Sequence, residues 1–377
     1  MTVLPSHLEP GLDERLAMRT LELVNVASVS GDETTILGSI AAALPEGFDV
    51  ADRDEAVVFA IPSARRAGAP SVVLAGHVDT VPPNGNFPGA RERDSILGRG
   101  SADMKGALAV MLEVAAWLAA NPGASDLDVG LLFFGREELP ITQSALLPFF
   151  DRCPAARSID LAIVMEPTAN RIEVGCLGNL NARVAVRGTA AHTARPWLGR
   201  NAIHTAIGAF ASIVKLPPRD VEIDGFVFRE VVSVTSIEGG IAGNVVPDRV
   251  EARVNFRYAP TRSPAEAEAR LRELISFEDT EVTMIGNAPP GRVAVRNPLV
   301  ERLRAAGDLE VGPKQAWTPV AEFASIGVDA INFGPGDPQY AHRDDERVET
   351  SALVRSYQVL RGLLAVQGER PTREKED

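Results

Sequence analysis

Only two cysteines, Cys153 and Cys176, occur in 377 residues. That is too few for a disulfide framework in a chain of this length, and both are expected to be reduced, structural thiols. A basic excess is also missing. The 38 Lys and Arg against 51 Asp and Glu leave a net charge of −13; with no basic stripe to neutralise phosphates, a nucleic-acid partner is not expected. No stretch approaches the ~18 uncharged apolar residues of a membrane span, the longest candidate (107–120) being interrupted by Glu113. Met1 to Leu16 carries Glu9, Asp13 and Glu14 and has no apolar h-region, so no secretory leader is read there and a cytoplasmic protein is expected. No repeat of 20–50 residues is present. His7 and His204 stand beside no motif and are read as ordinary residues, and the polar stretch 368–377 reads as a solvated, frayed end.

What is present describes a soluble globular chain: 45% apolar and 24% charged residues, with a length that suggests two or three domains. Apolar runs rich in Val, Ile and Phe at 71–76, 129–134, 161–165 and 330–333 predict strands covered on both faces, as in a parallel α/β sheet. The segment 104–120, with Leu108, Met111, Leu112, Ala115 and Leu118 at helical spacing, predicts a buried helix ending at Asn121-Pro122-Gly123. The middle of the chain differs. Segments 180–187 and 249–258 alternate apolar and polar residues as half-exposed strands do, helices are expected at 201–216 and 264–275, and further strands at 231–237 and 280–285. Strand, helix, strand, strand, helix, strand is the ferredoxin-like order. With 286–291 as a return linker, the expected architecture is an α/β domain with a mixed, mostly parallel sheet (1–178 and 289–377), interrupted by a small α+β domain (179–288).

Chemistry-bearing residues follow the predicted strands. Gly76-His77-Val78-Asp79-Thr80 follows the first run, and Gly98-Arg99-Gly100-Ser101-Ala102-Asp103-Met104-Lys105-Gly106 follows the next glycine-rich turn. Gly135-Arg136-Glu137-Glu138, Glu166-Pro167-Thr168 and the segment from Gly334 to His342 follow the other three. In open α/β sheets that edge is where ligands bind. Two imidazoles with several carboxylates suit Zn²⁺, or a pair of such ions, better than Mg²⁺ or Ca²⁺.

These motifs, in this order, resemble the co-catalytic zinc family of aminoacylases, acetylornithine deacetylases, glutamate carboxypeptidases and succinyl-diaminopimelate desuccinylases. The resemblance runs from about residue 10 to 365. It implies an α/β catalytic domain with a ferredoxin-like lid that mediates homodimerisation, and two Zn²⁺ per chain, with Co²⁺ as a possible substitute. His77 and Glu166 would hold one ion, Glu138 and His342 the other, and Asp103 would bridge them. Glu137 would be the general base, and Asp79 would accept a hydrogen bond from His77 to fix its tautomer. His192, in Gly188-Thr189-Ala190-Ala191-His192-Thr193-Ala194-Arg195-Pro196, would reach the partner's active site and stabilise the oxyanion. Asn244 and Arg257 would bind the substrate carboxylate, with Arg195 and Thr318 as further contacts.

Within the family, Glu166-Pro167-Thr168-Ala169-Asn170, Gly175-Cys176-Leu177-Gly178, the segment from Ala191 to Ala202 and Ile331-Asn332-Phe333-Gly334-Pro335-Gly336-Asp337-Pro338 most resemble actinobacterial-type succinyl-diaminopimelate desuccinylases. The implied reaction is cleavage of N-succinyl-LL-2,6-diaminopimelate to succinate and diaminopimelate, in lysine biosynthesis. In Trp317-Thr318-Pro319-Val320-Ala321, Pro319 stands where that subgroup has Asp, which removes a carboxylate and a backbone donor. A paralogue acting on another N-acyl amino acid, such as acetylornithine, is the alternative. A non-catalytic scaffold would be favoured by a missing ligand or base, and none is missing.

Overall fold

The computed structural model describes residues 9–66 and 68–366; His7 and the stretch 368–377 lie outside them. The apolar runs do form a sheet. It has eight strands in the order Phe48–Arg53, Val57–Pro62, Asp128–Phe134, Ser71–His77, Leu161–Val164, Ala330–Asn332, Ile172–Val174 and Val311–Pro313. The four central strands are mutually parallel, and antiparallel neighbours flank them. Both faces are covered, which is why these strands are apolar throughout. Helices Leu12–Val24, Gly106–Ala120, Pro298–Gly307 and Thr350–Leu364 pack on one face, and Leu146–Arg152 and Val320–Ser325 on the other. All four central strands end at the same edge, and four of the five chemistry-bearing motifs follow them there, the Asp103 turn coming after the short strand Ser95–Leu97.

A second, five-stranded antiparallel sheet has the order Arg219–Ile223, Phe226–Gly239, Arg249–Tyr258, Gly178–Arg187 and Thr280–Ala288. Apart from the added edge strand Arg219–Ile223, this is the ferredoxin-like arrangement. The alternation read at 249–258 is borne out: Val250, Ala252, Val254, Phe256 and Tyr258 are buried with helices Ala202–Val214 and Pro264–Leu274 in a core separate from that of the large sheet. Asn201 caps the first helix, accepting from the Ile203 and His204 amides. Ser263 and Glu266 form a capping box on the second.

Two local expectations are corrected. The helix begins at Gly106 and not at 104, because Asp103 and Met104 take non-helical dihedrals in the turn Ser101–Lys105, which lets Asp103 face His77. The segment 286–291 is not all linker. The strand Thr280–Ala288 continues through it after a bulge between Met284 and Gly286, leaving only 289–291 as connection.

Candidate active site

His77 is the last residue of its central strand and is almost fully buried. Its Nδ1 lies 3.0 Å from the Asp79 backbone carbonyl. A carbonyl can only accept, so Nδ1 carries the proton and Nε2 is left as the ligand atom, 3.0 Å from Asp103 Oδ1. This corrects the expected role of the Asp79 side chain, whose carboxylate lies 3.7 Å from Nδ1. That carboxylate instead accepts the amides of Glu137 and Glu138, at 3.1 and 3.2 Å, and the Ser30 hydroxyl at 2.7 Å. Asp79 therefore sets the turn that carries the two glutamates.

The other carboxylates converge from separate loops. His342 Nε2 lies 2.7 Å from Glu138 Oε1 and 3.5 Å from Asp103 Oδ2. Arg136, which precedes Glu137, and His342 itself both have left-handed backbone, at φ 61° and 65°; such conformations in non-glycine residues concentrate at functional sites. The loop to His342 passes close to its neighbours at Gly334 and Gly336. A Cβ at either would collide with the Met165 or Ala102 carbonyl, so only glycine lets these loops meet.

Electrostatics mark the cluster as incomplete on its own. Burial, then Glu166, raises the Glu137 carboxyl well above its usual range, and burial, then Asp103, pushes Glu166 up to about 7. Burial works against a charged His77, but the hydrogen bond and charge of Asp103 outweigh it and raise the imidazole well above normal. Hydrogen bonds to Asp103 and Glu138 raise His342 to about 10. Glu166 Oε1 is buried with no hydrogen-bond partner among the described residues. The ligand atoms of His77, Asp103 and Glu138 lie within 4.8 Å of one another. Gathered carboxylates, neutral-capable imidazoles and an orphaned buried oxygen fit bound cations.

The cluster floors a cavity of about 740 Å³ between the two sheets, lined by Asp103, Glu137, Glu138, Glu166 and His342 below. Asn179, Asn181, Arg253 and Arg257 come from the second sheet. Thr318, with its hydroxyl buried and unpartnered among the described residues, also lines it. His192, Asn244 and Arg195 do not. They are exposed on and beside a two-stranded ribbon pairing Ala191–His192 with Val245–Val246, where the Thr193 amide donates to the Asn244 carbonyl.

Two contributors escaped the sequence reading. Glu346 accepts the Ala102 and Asp103 amides at 3.2 and 3.1 Å and pairs with Arg99 at 2.9 Å, all in the interior. Lys314 lines the cavity while paired with Glu173 at 2.8 Å. The signal for Glu346 was its place four residues after His342, but nothing in the sequence joined it to Asp103.

Residues 73–366 match the model of peptidase family M20/M25/M40. The chain belongs to that family. A Corynebacterium glutamicum member named succinyl-diaminopimelate desuccinylase is 34% identical, covering 93% of this chain and 99% of its own. A Mycobacterium tuberculosis protein provisionally given the same name is 37% identical, covering 92% and 96%. Among solved M20-like folds, aminopeptidase PepT of Bacillus cereus superposes with a TM-score of 0.76 at 20% identity, covering 93% of this chain and 98% of its own. A dinuclear metal-binding M20 peptidase of Bacillus subtilis superposes with a TM-score of 0.68 at 15% identity, covering 94% and 98%. This M20 chain has, among its described residues, no helix long and apolar enough to cross a membrane.

Proposed function

We propose that the protein is a zinc-dependent hydrolase of anionic N-acyl amino acids, with N-succinyl-LL-2,6-diaminopimelate as its substrate. The observation that carries this reading is the pairing of unlike surfaces across one cavity. Carboxylates and imidazoles form its floor, and Arg253 and Arg257, with no carboxylate within 4 Å among the described residues, face it from the second sheet. The two actinobacterial relatives support the choice of acyl group.

His77 and Glu166 would hold one zinc and Glu138 and His342 the other, with Asp103 between them. Bound there, the metal pair would polarise the scissile carbonyl and bring the pKa of the attacking water toward ~7. Glu137 takes the proton of that water and delivers it to the leaving amine, a task suited to a carboxyl whose proton affinity burial has raised. Asp79 holds the Glu137 amide, and so the base, in place. Arg257 binds a substrate carboxylate, and its burial strengthens that contact. Residues 179–288 act as lid and dimerisation domain, so that His192, Asn244 and Arg195 serve the partner's cavity. The two unpaired cysteines are consistent with a cytoplasmic setting. Pro319 opens the helix Val320–Ser325, where a missing N–H costs little, so its presence leaves this frame intact.

The test is turnover by zinc-loaded protein on N-succinyl-LL-2,6-diaminopimelate, acetylornithine and a panel of N-acyl amino acids. The first should lead in kcat/KM by at least about tenfold. Preference for another N-acyl amino acid would overturn the substrate, and no amide cleavage with both zincs bound would overturn the reading.

A further inference from the structure

Arg253 is an exposed arginine that lines the cavity. It lies on the polar face of the strand Arg249–Tyr258, four residues before Arg257 and on the same side. At strand spacing the two side chains leave the backbone roughly 13 Å apart. Both line the cavity. Directly across the pairing register from Arg253 stands Arg183, and like charges placed opposite each other destabilise a sheet. Neither has a carboxylate within 4 Å among the described residues, whereas the neighbouring cross-strand pair Arg187 and Arg249 is neutralised by Glu281 and Glu251. An acidic chain has thus left two opposed cations uncompensated, one of which, Arg253, lines the cavity.

The backbone around Arg253 is also irregular. The strand Phe226–Gly239 bulges between Val234 and Ser236, and the extra residue, Thr235, lines the cavity with its hydroxyl on the Arg253 carbonyl at 3.3 Å. The bulge in Thr280–Ala288 likewise turns Ile285 into the same cavity. Bulges beside sites re-aim side chains. Here the two bulged residues, Thr235 and Ile285, line the same cavity as Arg253.

We propose that Arg253 is a specificity residue that binds a second anionic group, at the end of the substrate remote from the scissile amide. Resting on the amide-hydrolase reading above, this makes the preferred substrate a long dianion, about as long as three or four extended residues, roughly 11–14 Å. One end is held by Arg257 and the other by Arg253. A substrate lacking the far carboxylate leaves Arg253 as unpaired as it is in the free protein and gains nothing from it.

The experiment compares N-succinyl-LL-2,6-diaminopimelate with N-succinyl-L-lysine, which differs by the absence of that far carboxylate. Zinc-loaded wild type should prefer the former. Arg253→Gln should raise KM for it about 10–100-fold, leave kcat and N-succinyl-L-lysine turnover unchanged, and so abolish the preference, while Arg253→Lys restores part of it. The Tm of ligand-free Arg253→Gln should equal or exceed that of wild type, because a like-charge pair has been relieved. Equal losses on both compounds with a lower Tm would mark Arg253 as structural and overturn the proposal, as would an unchanged preference. If wild type cleaves neither compound, the amide-hydrolase reading falls separately. The two compounds titrated as ligands then still decide: tighter binding of the dianion that Arg253→Gln removes supports the proposal, and equal affinities overturn it.

Discussion

At the scale of single residues, burial without a countercharge is felt as proton affinity. Glu322, on the helix Val320–Ser325, is 4% exposed and among the described residues its carboxyl accepts only the Ser144 hydroxyl, and burial pushes it up to about 7. A carboxyl that holds its proton more tightly in the folded state stabilises the fold fully below its unfolded pKa. That contribution is lost as pH rises toward 7. The wild-type Tm should therefore fall between pH 5 and 8. Glu322→Gln, which keeps the shape and cannot ionise, should flatten that fall and gain on the order of 2–3 kcal/mol relative to wild type at pH 8. Parallel Tm-against-pH curves for the two proteins would refute the assignment.

At the scale of elements, the site depends on how turns are held and on which strands happen to be neighbours. Glu346 ties the strand Arg347–Glu349 and the loop of His342 to the turn Ser101–Lys105, through two backbone amides and Arg99. Glu346→Gln should leave the ligands present but loosen Asp103, weakening zinc roughly 10–100-fold in competition with a chromophoric chelator. Unchanged affinity would remove Glu346 from the site. Four of the five ligand motifs were legible because they follow an apolar run, Asp103 because it sits in a glycine-rich turn, and the polar face of 249–258 because alternation marks a half-buried strand. Arg253, Lys314 and Glu346 were not. Their roles come from cross-strand register, from two bulges and from a contact spanning 243 residues, none of which leaves a local pattern. For the same reason the Asp79 carboxylate was legible as a neighbour of His77 but not as the acceptor for the Glu137 turn.

For the molecule as a whole, the question is whether one chain is enough. His192 is exposed on its ribbon and absent from its own chain's cavity, and the proposed homodimer would use it in the partner's cavity. His192→Ala should keep both zincs and lose activity on the scale of an oxyanion donor, roughly 10²–10³-fold in kcat. Mixing it with inactive Glu137→Ala under subunit exchange should return activity, because the mixed dimer contains one site with both groups intact. Mixed dimers without activity would place His192 in its own chain's service.

The strand Ala330–Asn332 sits between Leu161–Val164 and Ile172–Val174 in the middle of the eight-stranded sheet. During synthesis that position stays empty until residue 332 of 377 has emerged, whereas the five-stranded sheet has all its strands once Ala288 is made. The part encoded in the middle can thus settle first, and the part encoded at both ends must wait with two unpaired strand edges facing each other. Nascent or truncated chains ending between 289 and 329 are then the aggregation-prone species, and the demand on holding chaperones falls in that window.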